Sequence, residues 1–270
     1  MNQGLISVIL PVWKPNIKYL KKSIDSLLSQ TYENIEIIIS YKKFPDSDQA
    51  FYSLINQYHD TRIHVIEATV KGISSQLNEG ILASNGEFIS IINDDDFFEP
   101  TKLEKQLQFK KENNCDIVGS WGYYVTVDET KKWKILRPIQ HDNLRKIIMS
   151  RTPLLHVSVL MDRKIFEKTG LYNTDFVYAV DYELWFRVMQ HGFRFGNVPE
   201  FLVGILYNPT SISRKYWQKQ RFLALKARYN AFFHQGFHKP QDLLYFIQSH
   251  FFVLISPNFA MKIRRLFKTA

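Results

Sequence analysis

Four consecutive polar residues, Asn93, Asp94, Asp95 and Asp96, are the first side chains in this sequence with an evident capacity for chemistry. Three adjacent carboxylates repel one another, so such a group is stable mainly when it faces water or a divalent cation. Carboxylate oxygens are hard ligands that suit Mg²⁺ or Mn²⁺, and a cation held there would bridge a diphosphate. The other interpretation is an acidic loop that caps the helix predicted after Pro100.

Asp181 is the second candidate, because it directly precedes an amphipathic pattern in which Leu184, Trp185 and Val188 share one face. A carboxylate at the start of a helix is held in place and favoured in its ionised form, so it can accept a proton. Asp is also among the commonest N-cap residues, and a purely structural role as the N-cap of this helix stays open.

The first 120 residues predict a scaffold for the acidic group. Strands are predicted at residues 6–12, 35–39, 63–66, 88–92 and 115–119, with helices between them. We expect Asn85-Gly86 to end the third helix in the left-handed conformation, and Thr101 with Glu104 to form a capping box. The alternation predicts a doubly wound α/β sheet, with the carboxylates at the carboxyl end of the fourth strand, where such sheets bind ligands.

After residue 120 the rhythm changes, and antiparallel additions to the sheet are expected. The predicted elements are a hairpin of residues 123–127 and 133–136, a helix near 144–149, a strand at 157–161, a helix at 181–191, a strand at 201–207, and two helices at 213–234 and 242–255. We therefore expect one domain over residues 1–212, made of halves 1–120 and 121–212, and a helical extension over residues 213–270.

Charge is distributed unevenly along the chain. The 270 residues include 35 Lys plus Arg and 26 Asp plus Glu, a formal net charge of +9. Residues 201–270 hold eleven basic residues and one acid, Asp242, so the first 200 residues are nearly neutral. This pattern argues against a nucleic-acid-binding protein and for one localised contact with an anionic partner. A single cysteine, Cys115, excludes a disulfide framework, and with no signal-peptide pattern it favours the cytosol.

A set of motifs in fixed order makes the sequence recognisable. They are Ser7-Val-Ile-Leu-Pro-Val-Trp13, Leu27-Leu-Ser-Gln-Thr-Tyr32, Gly72-Ile-Ser74, Asn78-Glu-Gly80, Asn85-Gly-Glu-Phe-Ile-Ser-Ile-Ile-Asn-Asp-Asp-Asp96 and Asp181-Tyr-Glu-Leu-Trp185. Over roughly residues 5–213 the chain closely resembles the family 2 glycosyltransferases, inverting enzymes of the GT-A fold. Sugar nucleotidyltransferases have a similar sheet, but they need a Gly-rich phosphate loop that is absent after the first strand here.

The resemblance implies a nucleotide-sugar donor, most simply a UDP-sugar, bound with Mn²⁺ or Mg²⁺. Asp95 matches the last Asp of the family's Asp-x-Asp motif and would bind the metal, together with Asp96. Asp94 would lie near the ribose or the sugar. The cation would hold the diphosphate and neutralise the charge that develops as the glycosidic bond breaks.

The resemblance also assigns the other site residues. Asp181 would be the base that takes a proton from the acceptor hydroxyl. Glu183 is expected on the solvated side of the same helix and Trp185 in the core. Trp13 would lie beside the nucleobase, and Pro11, Tyr41 and Asn78 would also bind on the donor side. His156 would lie near the acceptor, although a buried structural histidine is equally compatible with its surroundings.

Several positions depart from the family's pattern. Tyr41 stands where an Asp usually reads the base, which leaves Asp46 or Asp48 as a substitute. Asn93 replaces the first Asp of Asp-x-Asp, Leu77 a phosphate-facing Arg, Val180 the Glu before the base, and Asn208 a metal-binding His. We expect weak metal affinity, an unusual donor nucleotide, or both. A catalytically degenerate relative that serves as a scaffold in glycan assembly is the alternative.

The basic end of the chain predicts a membrane-facing segment. The apolar run at 243–255 has 13 residues, too few for a span of about 20, and the mixed basic and apolar run at 261–268 suits an anionic leaflet. Because such enzymes commonly extend lipid-linked saccharides, a lipid-linked or surface glycan acceptor and a peripheral position at the inner face of the cytoplasmic membrane are expected. The alternative is a helical cap over the sheet. No nucleic-acid partner is expected, and the sequence leaves a homo-oligomer open.

Overall fold

A computed structural model describes residues 2–70, 72–208, 215–237 and 239–253. The strands are β1 (Asn2–Trp13), β2 (Ile35–Lys42), β3 (Ile63–Glu67), β4 (Gly86–Ile91), β5 (Phe97–Phe98), β6 (Ile117–Thr126), β7 (Lys132–Ile135), β8 (Leu160–Asp162) and β9 (Phe195–Tyr207). The helices are α1 (Ile17–Leu28), α2 (Pro45–Ile55), α3 (Ile73–Ala83), α4 (Lys102–Asn113), α5 (His141–Ile147), α6 (Lys164–Thr169), α7 (Val180–Gln190), α8 (Trp217–His234) and α9 (Pro240–Val253).

Within the described residues these strands form one mixed sheet in the order β3-β2-β1-β4-β8-β6-β9-β5, with β7 paired to β6. The strands from β3 to β4 are parallel, β8 runs antiparallel between β4 and β6, and β6 is parallel to β9. The predicted α/β fold, with antiparallel additions to the sheet and C-terminal helices, is confirmed.

The central strand β1 separates two hydrophobic cores, because successive residues of a strand point to opposite faces of the sheet. Ile9 belongs to one core, and Val8 and Leu10 belong to the other; all three are fully buried. Helix α3 packs closely on the Ile9 side, where a Cβ atom on Gly80 would lie 2.6 Å from Ile9 Cγ2. Both faces of β1 are therefore covered, as the apolar sequence of this strand requires.

Two predicted helix ends are wrong. Ser84 ends α3 in an extended conformation (φ −94°, ψ 157°), and Gly86 begins β4. Gly86 is needed for close approach rather than for a left-handed turn, because a Cβ atom there would lie 2.5 Å from Ser7 Oγ. The capping box also fails: Thr101 makes no side-chain cap bond, and Glu104 instead accepts a hydrogen bond from Thr31 Oγ1 at 2.7 Å.

The second half follows the prediction in its main elements, but α6 (Lys164–Thr169) was not predicted and two strands begin elsewhere. The β6–β7 hairpin is present, but a 3-10 turn at His156–Ser158 precedes a strand that begins only at Leu160. Strand β9 begins at Phe195, six residues before the predicted start. Its pairing with β6 shifts register between Val198 and Phe201, so Pro199 lies in a bulge where its missing N–H costs nothing.

The two C-terminal helices pack on the body of the molecule. Ala227 and Ala231 of α8 are buried in the core that contains α7. Asp242, fully buried, accepts two hydrogen bonds from Arg145 at 2.9 and 2.8 Å, so the single acid of the basic last quarter is a structural anchor. A domain boundary at residue 212 stays a prediction, and the predicted segment at 261–268 lies outside the described residues.

Over the parts of the chain that the structure describes, every helix is too short or too polar to cross a bilayer.

Glu36 joins three segments at the amino-terminal side of the sheet. Its side chain is 7% exposed and accepts hydrogen bonds from Ser7 Oγ (2.5 Å), the Asn85 N–H (2.5 Å) and the Gly86 N–H (3.2 Å). Burial alone raises the pKa of Glu36, but these hydrogen bonds outweigh it and hold the pKa below its usual value. The carboxylate therefore stabilises the fold in its ionised form.

We expect Glu36→Gln to lower the free energy of unfolding by about 1.5–3 kcal/mol at pH 7, because it weakens hydrogen bonds to a charged group. A depressed pKa contributes stability that is present above the usual carboxyl pKa and is lost as the pH falls through the folded-state pKa. Urea unfolding at pH 7 and at pH 3–4 should thus show the difference between wild type and variant shrinking in acid. The exposed neighbour change Glu33→Gln is the control, and an equal effect at both sites contradicts the assignment.

Candidate active site

The carboxyl ends of β1, β2 and β4 meet at one edge of the sheet, where ligands bind in folds of this type. Trp13 ends β1 opposite Lys42 of β2, and its ring is only partly buried. Lys14 Nζ lies 5.3 Å from the centroid of that ring. Trp13 is thus placed where a nucleobase can stack on it, while Pro11 is buried inside the sheet and pairs with Ser40.

Asp96 holds the loop that follows β4. It is 2% exposed, and its two carboxylate oxygens accept hydrogen bonds from the Leu206 N–H and from Asn93 Nδ2, each at 3.0 Å. Ser23 of α1 donates to the Asp96 carbonyl oxygen at 2.5 Å. The prediction that Asp96 binds a metal is corrected, because both oxygens serve protein groups and the side chain is withdrawn from solvent.

Asp94 and Asp95 are the partly exposed carboxylates of the same loop. Burial, reinforced by the charge of Asp95, raises the pKa of Asp94 to about 7. Burial also raises the pKa of Asp95. Two crowded carboxylates of this kind favour a bound cation, which removes both the desolvation cost and the repulsion.

A metal site made entirely of protein groups is absent from the described ranges, since no three His, Cys, Asp or Glu residues there are placed to share an ion. Mg²⁺ and similar hard cations are commonly held by one or two carboxylates together with substrate phosphates and water. Asp94 and Asp95 fit that mode, in which the cation and a diphosphate bind together.

Tyr41 was predicted on the donor side, but its side chain does not face the ligand edge of the sheet. It is fully buried, its ring stacks on Phe51 at a centroid distance of 3.7 Å, and its hydroxyl donates to Asp48 Oδ1 at 2.6 Å. The Phe44 N–H donates to the same oxygen at 2.9 Å. The hydrogen bond from Tyr41 lowers the pKa of Asp48. The prediction that Tyr41 binds the donor is therefore corrected, because the side chain is buried. Tyr41 instead positions the partly exposed carboxylate of Asp48.

Helix α3 connects this donor edge to the second half of the molecule. Gln76, which the sequence reasoning missed, donates from Nε2 to the carbonyl oxygens of Val12 and Ser40 at 2.9 Å each and so joins the ends of β1 and β2. Only its position in the third helix, which faces those strands, could have indicated this role. Ser74 Oγ donates to the Phe176 carbonyl oxygen at 3.1 Å.

The side-chain amide of Asn78 forms two hydrogen bonds with the backbone of Tyr172. Asn78 Nδ2 donates to the Tyr172 carbonyl oxygen, and the Tyr172 N–H donates to Asn78 Oδ1, each at 2.9 Å. The predicted role of Asn78 in donor binding is therefore corrected to a structural one: it fixes the loop that leads to α7.

The acceptor side brings together His156, Tyr172 and Asp181. His156 Nε2 lies 2.8 Å from the Tyr172 hydroxyl. Burial lowers the pKa of His156, and the negative charge of Asp181 opposes that effect. Burial also raises the pKa of Tyr172 well above its usual value, and the charge of Asp181 adds to the shift. A neutral histidine and a protonated tyrosine thus lie within the field of one carboxylate.

Asp181 is not the N-cap of α7. The N-cap is Ala179, in the left-handed conformation (φ 58°, ψ 33°), and Asp181 lies partly exposed in the first turn. The alternative interpretation, in which Asp181 is the N-cap of this helix, is therefore wrong. Val180, which stands where relatives have Glu, is 7% exposed in the core.

Glu183 and Trp185 on the same helix are both buried. Trp185 is fully buried as expected, but Glu183 is 8% exposed, in contrast to its predicted solvated position. The Glu183 carboxylate binds Arg187 Nε and Nη2 at 2.9 Å each, and Arg187 also donates to the Leu171 carbonyl oxygen at 2.9 Å. This ion pair ties α7 to the loop before Tyr172.

The family model described as "Glycosyl transferase family 2" matches residues 7–170. The chain belongs to glycosyl transferase family 2. An uncharacterized glycosyltransferase of Rickettsia typhi is 31% identical over 192 residues, 69% of this chain and 59% of that protein, so this chain spans less than two thirds of that relative. The O-antigen biosynthesis glycosyltransferase WbnJ of Escherichia coli is 27% identical over 205 residues, 74% of this chain and 78% of WbnJ.

Solved structures confirm the GT-A fold of this glycosyltransferase. S. aureus TarS 1-349 in complex with UDP-GlcNAc superimposes with a TM-score of 0.67 at 16% identity, over 91% of this chain and 72% of that one. The mannosyltransferase PcManGT from Pyrobaculum calidifontis, in complex with GDP-Man and Mn²⁺, gives a TM-score of 0.66 at 16% identity, over 92% and 69% of the two chains.

In this family 2 glycosyltransferase we expect Asn78→Asp to act on the loop rather than on the donor. The substitution keeps the shape and the acceptor for the Tyr172 N–H, but it places a carboxylate oxygen against the Tyr172 carbonyl. The free energy of unfolding should fall by about 1–3 kcal/mol, while the Kd for UDP measured by calorimetry should stay within about twofold of wild type. A large loss of UDP affinity at unchanged stability would restore the donor-binding role.

Proposed function

We propose that this glycosyltransferase moves a sugar from a nucleotide-diphosphate donor to a hydroxyl of a lipid-linked or surface glycan, with inversion at the anomeric carbon. The observation that carries the proposal is that the candidate carboxylates form two groups on different elements of the fold. Asp94 and Asp95 are adjacent, partly exposed carboxylates in the loop after β4, whereas Asp181 belongs to a different element, the first turn of α7, and its charge acts on His156 and Tyr172.

The donor we propose is a UDP-sugar that binds together with Mn²⁺ or Mg²⁺. Trp13 would stack on the base, Asp48 would accept a hydrogen bond from it, and Asp95 with Asp94 would hold the cation. When bound, the cation would neutralise the diphosphate as it leaves. Support comes from the partly exposed Trp13 ring, from Asp48 held by Tyr41, and from the similar folds solved with UDP-GlcNAc or with GDP-Man and Mn²⁺.

Asp181 is the proposed base. As the acceptor oxygen forms its bond to the anomeric carbon, the bond from that carbon to the diphosphate breaks and the hydroxyl proton passes to the Asp181 carboxylate. One base is sufficient for a single displacement with inversion. Burial lowers the pKa of His156 and so weakens it as a base, and Tyr172 keeps its proton, so Asp181 is the group that we propose as the proton acceptor.

The acceptor and the location are proposed from charge and from one relative. WbnJ, which is named for O-antigen biosynthesis, supports a surface glycan acceptor. Residues 201–270 carry ten more basic groups than acidic ones, and α9 exposes Leu243, Leu244 and Ile247 by 45–56%. We infer a peripheral position at the cytoplasmic face of the membrane, where lipid-linked saccharides lie within reach.

Two variants should separate donor binding from chemistry. Asp95→Ala should weaken Mn²⁺-dependent UDP binding at least about tenfold, because it removes the proposed metal ligand. Asp181→Asn should bind UDP normally and lose about 10²-fold or more in kcat, because the base is gone. The measurements are calorimetry with UDP and Mn²⁺, and a screen of donor hydrolysis and transfer with common nucleotide-sugars.

Three results would contradict this assignment. Unchanged kcat in Asp181→Asn refutes the base. Wild-type protein that turns over no donor and whose UDP binding is unaffected by Asp95→Ala favours the alternative, a degenerate transferase that acts as a scaffold. Release of pyrophosphate from a nucleoside triphosphate plus a sugar phosphate would identify a sugar nucleotidyltransferase.

Removal of residues 257–270 tests the membrane contact. This segment carries four basic residues and no acid. Each basic residue near an anionic membrane contributes about 1 kcal/mol to the binding free energy. We expect the truncated chain to bind phosphatidylserine vesicles at least about tenfold more weakly in co-sedimentation, with the same Kd for UDP. Vesicles of phosphatidylcholine alone are the control, and undiminished binding to anionic vesicles would make this segment a structural cap.

A further inference from the structure

One face of the β6–β7–β9 region carries aromatic side chains that the proposed chemistry does not use. Tyr124 of β6 pairs with Trp133 of β7, and Thr126 of β6 pairs with Tyr207 of β9, so these positions share one face of the sheet. The Trp133 and Tyr207 ring centroids are 5.1 Å apart, and those of Tyr124 and Tyr207 are 6.1 Å apart. We call Tyr124, Trp133 and Tyr207 the aromatic platform.

Two rings of the aromatic platform, those of Trp133 and Tyr124, are exposed to solvent. Trp133 is 44% exposed and Tyr124 is 36% exposed, although each pairs with a neighbouring strand. Strand β7 is paired on one side within the described residues, which leaves Trp133 at the margin of the sheet. Rings of this size contribute most when they are buried, so a group of three in contact at an open edge is a surface on which a flat ligand can lie.

The position of the aromatic platform relates it to the active site from two directions. Gly122 lies on the same face two residues before Tyr124, and a Cβ atom there would lie 3.0 Å from Leu155 Cδ1, directly before His156. On the other side, the residue before Tyr207 is Leu206, whose N–H binds Asp96 in the donor loop. The strands that carry the platform thus lead to the turn before His156 on one side and to the loop of Asp96 on the other.

We propose that the aromatic platform binds a pyranose ring of the acceptor saccharide by stacking. The electron-rich face of an aromatic ring attracts the C–H groups on one face of a sugar ring, and the sugar hydroxyls stay in water. The nucleobase already has Trp13 at the end of β1, several strands away in the sheet. The proposal rests on the proposed transferase function and adds a binding subsite to it.

Stacking on the aromatic platform would allow this protein to hold an acceptor saccharide of several rings. The ring that stacks need not be the ring that reacts, because the platform begins at the margin formed by β7 and extends toward His156. Such a subsite contributes to the affinity for the acceptor and leaves the chemical step to Asp181. Its loss should therefore raise the KM for the acceptor and leave kcat and donor affinity unchanged.

Saturation-transfer NMR on the full chain tests the aromatic platform without requiring turnover. The probes are the methyl β-glycosides of glucose, galactose and N-acetylglucosamine, with UDP and the diamagnetic cation Mg²⁺ present. We expect transfer to the C–H protons of at least one glycoside, reduced about fivefold or more by Trp133→Ala and largely restored by Trp133→Phe. Phe222→Ala, at a ring that is 63% exposed on α8, is the matched control and should leave the signal unchanged.

The outcomes distinguish the subsite from the proposed function. If none of the glycosides receives transfer, or if Trp133→Ala and Phe222→Ala have the same effect, the aromatic platform is not a saccharide site. Tyr124→Ala gives a second variant should Trp133→Ala lower the melting temperature. The Kd for UDP, measured on the same samples, reports the donor site separately, so a failure of donor binding is not mistaken for a failure of the platform.

Discussion

The burial of Asp96 is the interaction on which the arrangement of the site depends. A carboxylate that is 2% exposed costs several kcal/mol unless its oxygens are hydrogen-bonded. Here the Leu206 N–H and Asn93 Nδ2 satisfy one oxygen each. Because Leu206 belongs to β9 and Asn93 follows β4, one side chain joins the first half of the sheet to the second. The loop is fixed, and Asp94 and Asp95 are left at its partly exposed side.

Helix α3 provides the second connection between the halves of the sheet, because its polar side chains form hydrogen bonds to both. Gln76 joins the ends of β1 and β2, whereas Ser74 and Asn78 bind the backbone of the segment before α7. Tyr172, held by Asn78, in turn contacts His156. The ends of β1 and β2 and the segment that leads to Asp181, the proposed base, are thus held by the same helix, so a shift of α3 would move both together.

The sequence predicts the sheet well and the polar contacts poorly. Strands such as β1 and β2 are apolar runs whose burial follows from composition, and α7 follows from the amphipathic pattern after Asp181. The errors at Asp96, Asn78 and Glu183 share a cause. Each is a polar side chain whose partner lies on another element or in a neighbouring turn, and no local pattern reports whether that partner is a ligand, a backbone group or an arginine.

Two departures from the family pattern become intelligible through their partners. An Asp at position 93 would set a further carboxylate against the buried Asp96, whereas Asn93 supplies an N–H to it. Likewise, an acid at position 41 would repel Asp48, whereas the Tyr41 hydroxyl donates to Asp48. In both places the substitution replaces a carboxylate with a hydrogen-bond donor aimed at a neighbouring carboxylate. Acidic side chains are thus still present near this edge, Asp48 on one side and Asp94 with Asp95 on the other, so the departures are compatible with the proposed donor site.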